Sequence, residues 1–257
     1  MAAHPHPAKA HLSSEPLAQL QAWDSALVAL GKKITVLKSI EWPAELEDRF
    51  LAGWRRGAPK LPTPPVEVKT FPECEYGLLA LMREIDTGHP IGHWLYKTAW
   101  SYLVAARMLA GAGTPEFTRC SSLLYGRPDV GYRSQELTSA DSAREMLQIT
   151  DDVIGAGALE AAPSGIPAHV FAERLRAHIT PIFDRDPVEV VLNPNLASKA
   201  TACSKRINLR ATALFSERDL HQLAEHEAFV HTLTAINGRN QPYFKALGLG
   251  APRTTRT

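Results

Sequence analysis

The chain has 257 residues, 45% hydrophobic and 21% charged, enough to bury a substantial core as one large domain or two small ones. A formal net charge of +1 gives no field that would gather nucleic acid or acidic membrane, and no apolar run approaches the ~20 residues of a membrane span. Three widely spaced cysteines, Cys74, Cys120 and Cys203, argue against a disulfide framework and suit a reducing, cytoplasmic compartment.

Residues 1–12 are rich in Ala, His and Pro, lack the apolar region of a secretory signal, and read as a disordered tail. Ser14, followed by Glu15 and Pro16, marks a helix start. Leu17, Leu20, Trp23, Leu27, Leu30, Ile34 and Leu37 then repeat by threes and fours, which predicts one face of a long amphipathic helix. Pro43 opens a second, short helix carrying Leu46, Phe50 and Trp54. These make an N-terminal helical segment over 13–57. The proline-rich run 58–65 cannot sustain a helix and reads as a stiff linker, with the main boundary there.

The main domain then spans 66–257. Helical stretches are predicted from Glu75 to Ile85, His93 to Ala110, Thr138 to Ile154 and around 167–179, with Trp94, Leu95, Trp100, Leu103 and Met108 as core. His89 and His93 have a chelating spacing, but Pro90 disfavours a helical His89. Pro187 to Leu192 is β-rich and ends at the turn Asn193-Pro194-Asn195. Thr201 to Ser204 and Ile207 to Ala211 form a hairpin around Lys205-Arg206, with Asn208 and Arg210 on its wet face. The fold class is therefore α+β, mainly helical, with a small antiparallel sheet or hairpin before one long helix.

That helix is expected from Glu217 to Ile236. Ser216 is the N-cap, with Asp219 completing a capping box; Phe215 and Leu220 have staple spacing, and Asn237-Gly238 is the stop. Leu220, Leu223, Val230 and Leu233 set its inward face, and His226 and Glu227 fall on the same stripe. Burying an ionised glutamate without a partner is costly, and a metal resolves the conflict. The run His226-Glu227-Ala228-Phe229-Val230-His231 supplies two potential zinc ligands and a carboxylate able to accept a proton. In a regular α-helix a five-residue spacing turns the histidines ~140° apart with a rise of ~7.5 Å. The spacing therefore predicts a π-type irregularity near 226–231. Glu227 and His231, spaced for a regular helix, are the competing ligand pair.

The stretch Phe215 to Leu220, the H-E-x-x-x-H run, Asn237-Gly238-Arg239-Asn240-Gln241-Pro242 and Leu247-Gly248-Leu249-Gly250-Ala251-Pro252-Arg253 together resemble one family. Its bacterial members are the flavohemoglobin-expression-modulating QEGLA-motif proteins. The microtubule-associated tyrosine carboxypeptidases, which remove the C-terminal tyrosine of tubulin, are its eukaryotic members. The likeness is strongest over 187–253. It implies a zincin-like zinc carboxypeptidase that acts on a protein or peptide C-terminus, in which Zn2+ is held by His226 and His231 and Glu227 activates water. A cation must then receive the substrate carboxylate, and Arg206 and Arg210 are the candidates, with solvated strand-face charge as their other role. The third ligand that the resemblance implies is the glutamate of a Q-E-G-L-A segment following the Gly-Leu-Gly-x-Pro-Arg stretch. The sequence ends at Thr257 where that segment is expected, so an incomplete peptidase domain is anticipated. A non-catalytic relative that binds a partner, and a helical protein with core histidines, are the competing expectations.

Overall fold

The computed structural model describes residues 14–63, 65–131, 137–157, 165–196 and 198–253. The tail at 1–12, Pro64 of the linker and Thr254 to Thr257 lie outside the described residues. The fold is α+β and mainly helical, and no helix among the described residues is long and apolar enough to cross a membrane.

The first helix, α1, covers Ser14–Gly31 and stops short of Leu37. Glycine continues a helix poorly; the chain turns at Lys32-Lys33, and a short α2, Val36–Ile40, follows. That turn returns Ile34 to the interior and leaves Leu37 80% exposed, which corrects the single long stripe. Pro43 precedes α3, Ala44–Arg55, as the sequence predicts. Helices α4, Pro72–Glu84, and α5, Pro90–Ala110, match the next two predicted stretches. His89 is the non-helical N-cap of α5, its Nδ1 accepting the Ile91 N–H at 3.1 Å. Helix α6, Pro115–Tyr125, adds to the predicted elements; Thr114 caps it, with proline in its first turn.

Leu20, Trp23 and Leu27 of α1 pack with Leu78 of α4, Leu103 of α5 and Leu124 of α6 in one helical core. More than half of α5 is buried, so it is the central helix of this layer. The N-terminal helix thus shares its core with helices beyond the proline-rich segment.

Helices α7, Ser139–Gly155, and α8, Ala168–Ile179, follow. Strand β1, Ile166–Pro167, pairs antiparallel with β5, Leu214–Phe215. Strands β3, Ala200–Cys203, and β4, Arg206–Arg210, form the expected antiparallel hairpin. Strand β2, Glu189–Asn193, however, runs parallel to β4, giving the order β2-β4-β3 and a mixed sheet. The turn at Asn193-Pro194-Asn195 reverses the chain once and the hairpin reverses it again, so β4 returns in the direction of β2. A second core forms where Ile207 and Leu209 meet α8 and the long helix, with Phe171 and Phe215 stacked at 4.1 Å.

The two cores are joined near the end of the described chain. Helix α10, Leu233–Arg239, meets a 3-10 turn at Lys245–Gly248. A Cβ on Gly238 would collide with the Leu247 carbonyl, and one on Gly248 would stand 2.7 Å from the Arg239 nitrogen. Only glycine permits so close a backbone crossing. Arg239 and Asn240 donate to the two carboxylate oxygens of Asp186, at 3.1 and 2.8 Å. On the other side, the Asp24 carboxylate of α1, 1% exposed, accepts the N–H groups of Lys245 and Ala246 at 2.8 and 2.9 Å. Tyr102 donates to the Gly250 carbonyl; burial pushes its phenol up to about 12, so it stays a neutral donor.

Removing the Asp24 carboxylate leaves two backbone donors without their acceptor. Asp24→Ala is expected to lower stability by about 2–4 kcal/mol, read as a shifted urea midpoint at unchanged slope. A midpoint within error of the parent would show that Asp24 does not join the two layers.

Candidate metal centre

The segment that carries the candidate ligands begins at Ser216. Its hydroxyl accepts the Asp219 N–H at 3.2 Å, while Asp219 Oδ2 accepts the Ser216 N–H at 2.7 Å. This reciprocal capping box starts α9, Glu217–Leu223. Lys199 adds its ammonium to the same carboxylate oxygen at 2.9 Å. Burial alone would raise the Asp219 carboxyl, but Lys199 and the two Ser216 donors together hold it below its ordinary value.

From Ala224 to Thr232 the helix is a π-helix, and it returns to α geometry in α10. The Leu233 N–H reaches the Ala228 carbonyl, five residues back. The five-residue spacing of the histidines thus predicts the irregularity at the right place, although the π stretch is longer than a single-turn bulge. The chain runs on helically to Arg239, past the Asn237-Gly238 stop.

The wider turn changes which residues face inward. Ala224, Glu227, Ala228 and Thr232 are buried, whereas Val230 is 53% exposed. An α-helical phase from Leu223 would bring Val230 to the core; one extra residue per turn brings Ala228 and Thr232 there instead. Val230 is therefore not part of the inward face. The small side chains of Ala224 and Ala228 let the π-segment lie close on the sheet. Thr232, 0% exposed, donates its hydroxyl to the Cys203 carbonyl at the end of β3, at 3.1 Å. Sequence reasoning passed over this anchor; a β-branched hydroxyl residue directly after His231 was the available signal.

His226 and His231 are brought together on the solvent side of the π-segment. Their Nε2 atoms stand 3.1 Å apart and their rings are nearly perpendicular, at 89°. Two nitrogens bound to one tetrahedral zinc, each ~2.0–2.1 Å from the ion, stand about 3.3 Å apart. The pair therefore fits two vertices of such a site. Among the described residues no group of three or more His, Cys, Asp or Glu side chains could hold a metal. The same 3.1 Å also suits a hydrogen bond between the rings, with one Nε2 protonated and the other accepting. Glu227, next to His226, is 8% exposed.

Strand β4 alternates, burying Ile207 and Leu209 and sending Arg206, Asn208 and Arg210 to the opposite face. There Arg206 pairs with Glu189 at 3.4 Å and Arg210 with Glu47 of α3 at 3.2 Å. Both arginines thus hold carboxylates on the sheet face opposite the core shared with the π-segment. On another side of the helix His221 meets His178 edge-on, with ring centroids 6.1 Å apart.

Comparison with known proteins gives one family. The model of the microtubule-associated tyrosine carboxypeptidase family matches residues 48–257, most of the chain. No curated protein and no solved structure matches. The matched span contains the π-segment, the mixed sheet and the Gly238–Gly248 crossing.

The capping box gives a pH signature. An unfolded aspartate titrates near ~3.9, and Asp219 is held lower in the folded chain, so its contribution is present above that range. It is lost as the pH falls through the folded value. Asp219→Asn is expected to cost about 0.5–2 kcal/mol at neutral pH, with the gap to the parent closing in acid. Urea melts at neutral and acidic pH test this; a gap of constant size would rule it out.

Proposed function

This chain belongs to the microtubule-associated tyrosine carboxypeptidase family, and from that premise we propose that it is a zinc-dependent metallopeptidase of the carboxypeptidase type. Its substrate is the C-terminus of a protein or peptide, met in the cytoplasm. The observation that carries this is the convergence of His226 and His231, with Nε2 atoms 3.1 Å apart on a π-segment that also holds Glu227. In these terms the π-segment is the active-site helix of a zincin-like fold.

His226 and His231 would hold zinc through Nε2. When bound, zinc polarises a scissile carbonyl and lowers the pKa of water to ~7. Glu227 accepts the proton of the attacking water and returns it to the leaving amine, the usual work of a positioned carboxylate. Arg206 and Arg210, the candidates for the substrate carboxylate, stand on the sheet face away from the π-segment, paired with Glu189 and Glu47, and take no part in this proposal. Catalytic zinc sites normally use three protein ligands. The third that the QEGLA-motif resemblance implies is the glutamate of a Q-E-G-L-A segment.

A second function is favoured by the same pair. At 3.1 Å the two imidazoles satisfy each other by a hydrogen bond, as expected of a catalytically inactive relative that serves as a binding or regulatory protein.

Two measurements separate these. Purified protein is expected to retain near-stoichiometric zinc by elemental analysis, and the His226→Ala/His231→Ala double variant to lose it. Equal metal content in parent and double variant would exclude the histidine site. For turnover, release of the last residue from a peptide ending in an aromatic residue is expected, and Glu227→Ala should slow it by about 10²–10⁴-fold. Folded, zinc-loaded protein without turnover would leave the binding role.

A further inference from the structure

Helix α7, Ser139–Gly155, is almost unpacked among the described residues. None of its residues is buried, and no other described element lies along it. It is nevertheless firmly specified. Thr138 and Asp141 form a complete capping box, and the Ala140 N–H is held by the Pro128 carbonyl at 2.9 Å. A lone helix of this length is marginal in water, because most helical stability comes from packing an apolar face.

Such a face is present. Ala143, Met146, Leu147, Thr150, Val153 and Ile154 follow the spacing of one helical stripe. Met146 is 63%, Leu147 65% and Ile154 56% exposed. The charges beside the stripe indicate what covers it. Arg144 and Asp151 are seven residues apart and so lie on the same flank, offset by only ~20°. When two identical helices pair antiparallel about a two-fold axis, the same flank of each copy meets the other, running in the opposite direction. With the axis near Leu147, Arg144 of each copy meets Asp151 of the other, giving two symmetric ion pairs. Parallel pairing would set this flank against the uncharged one, where Ser142 and Ile149 stand. Arg144 is 72% exposed in its exchangeable pair with Asp141, so it is free to change partner.

We infer that α7 is a self-association surface, along which two copies of this chain pair antiparallel with Leu147 at the centre and Arg144–Asp151 pairs on the rim. The single-helix seam makes a small, concentration-dependent interface at the low end of specific protein contacts.

Sedimentation velocity on the full chain over a wide range of loading concentrations tests this. A reversible monomer–dimer equilibrium is expected, and Leu147→Asp should raise the dissociation constant at least about tenfold. Arg144→Asp and Asp151→Arg should each weaken self-association, since each variant brings like charges together across the seam. An equimolar mixture of those two variants should recover the dimer, because every cross-pair is then of opposite sign. Circular dichroism of each variant checks that the exposed substitutions leave the fold intact. A chain that stays monomeric, a dimer indifferent to Leu147→Asp, or charge variants that fail to pair on mixing would each overturn the inference.

Discussion

Between Ala224 and Thr232 the backbone closes its hydrogen bonds over five residues rather than four, and the features on both sides of that helix follow from this. On the outer side the wider turn brings His226 and His231 onto one face, where a regular helix would aim them ~140° apart. On the inner side it selects Ala224, Ala228 and Thr232 for burial, residues small enough for the helix to lie close on the hairpin. A π-helix is seldom sustained, and this one is held at both ends. The capping box fixes where the helix begins, and the Thr232 hydroxyl ties its last turn to β3. The same register puts Glu227 in the interior, one residue from an exposed histidine.

The residues flanking the candidate site do architectural work. Gly238 and Gly248 let two backbone segments cross, Arg239 and Asn240 grip Asp186, and the turn at Lys245–Gly248 is seized by Asp24. The Asn-Gly-Arg-Asn and Leu-Gly-Leu-Gly stretches that carry the family likeness are thus a joint between the helical core and the α+β core. Their regularity reflects steric and hydrogen-bonding demands at a crossing, at a distance from the chemistry of the histidines. Families recognised through such motifs share a scaffold first.

Local physics was the most legible part of the sequence. The Ser216 capping box, the hairpin around Lys205-Arg206 and the five-residue histidine spacing each depend on neighbours in the chain, and each reads directly. Features requiring a long-range partner did not. Periodicity carried α1 on to Leu37 because the stripe of threes and fours was weighed above the helix-ending glycine at Gly31. Val230 was assigned inward because an α-helical phase was extended through a segment that does not keep it. The parallel pairing of β2 follows from two successive reversals, and the strand pattern alone does not show on which side β4 inserts. Alternation in β4 separates Arg206 and Arg210 from Ile207 and Leu209, but only the packed structure says which face meets the helix. Helix α6 was legible through Thr114 and Pro115 and was passed over.

Asp24 sits near the start of the described chain, and the amides it binds lie 221 and 222 residues further on. Closing so large a loop is entropically demanding, and contacts of this separation slow folding. A chain emerging from the ribosome can form α1, α4 and α5 early, but Ala246 joins their core only when the 3-10 turn has been made. Until then the buried carboxylate of Asp24 has no amides to bind. The helical layer therefore waits for the far end of the polypeptide, and an interruption of synthesis anywhere before residue 245 would leave its first helix with an unanswered charge.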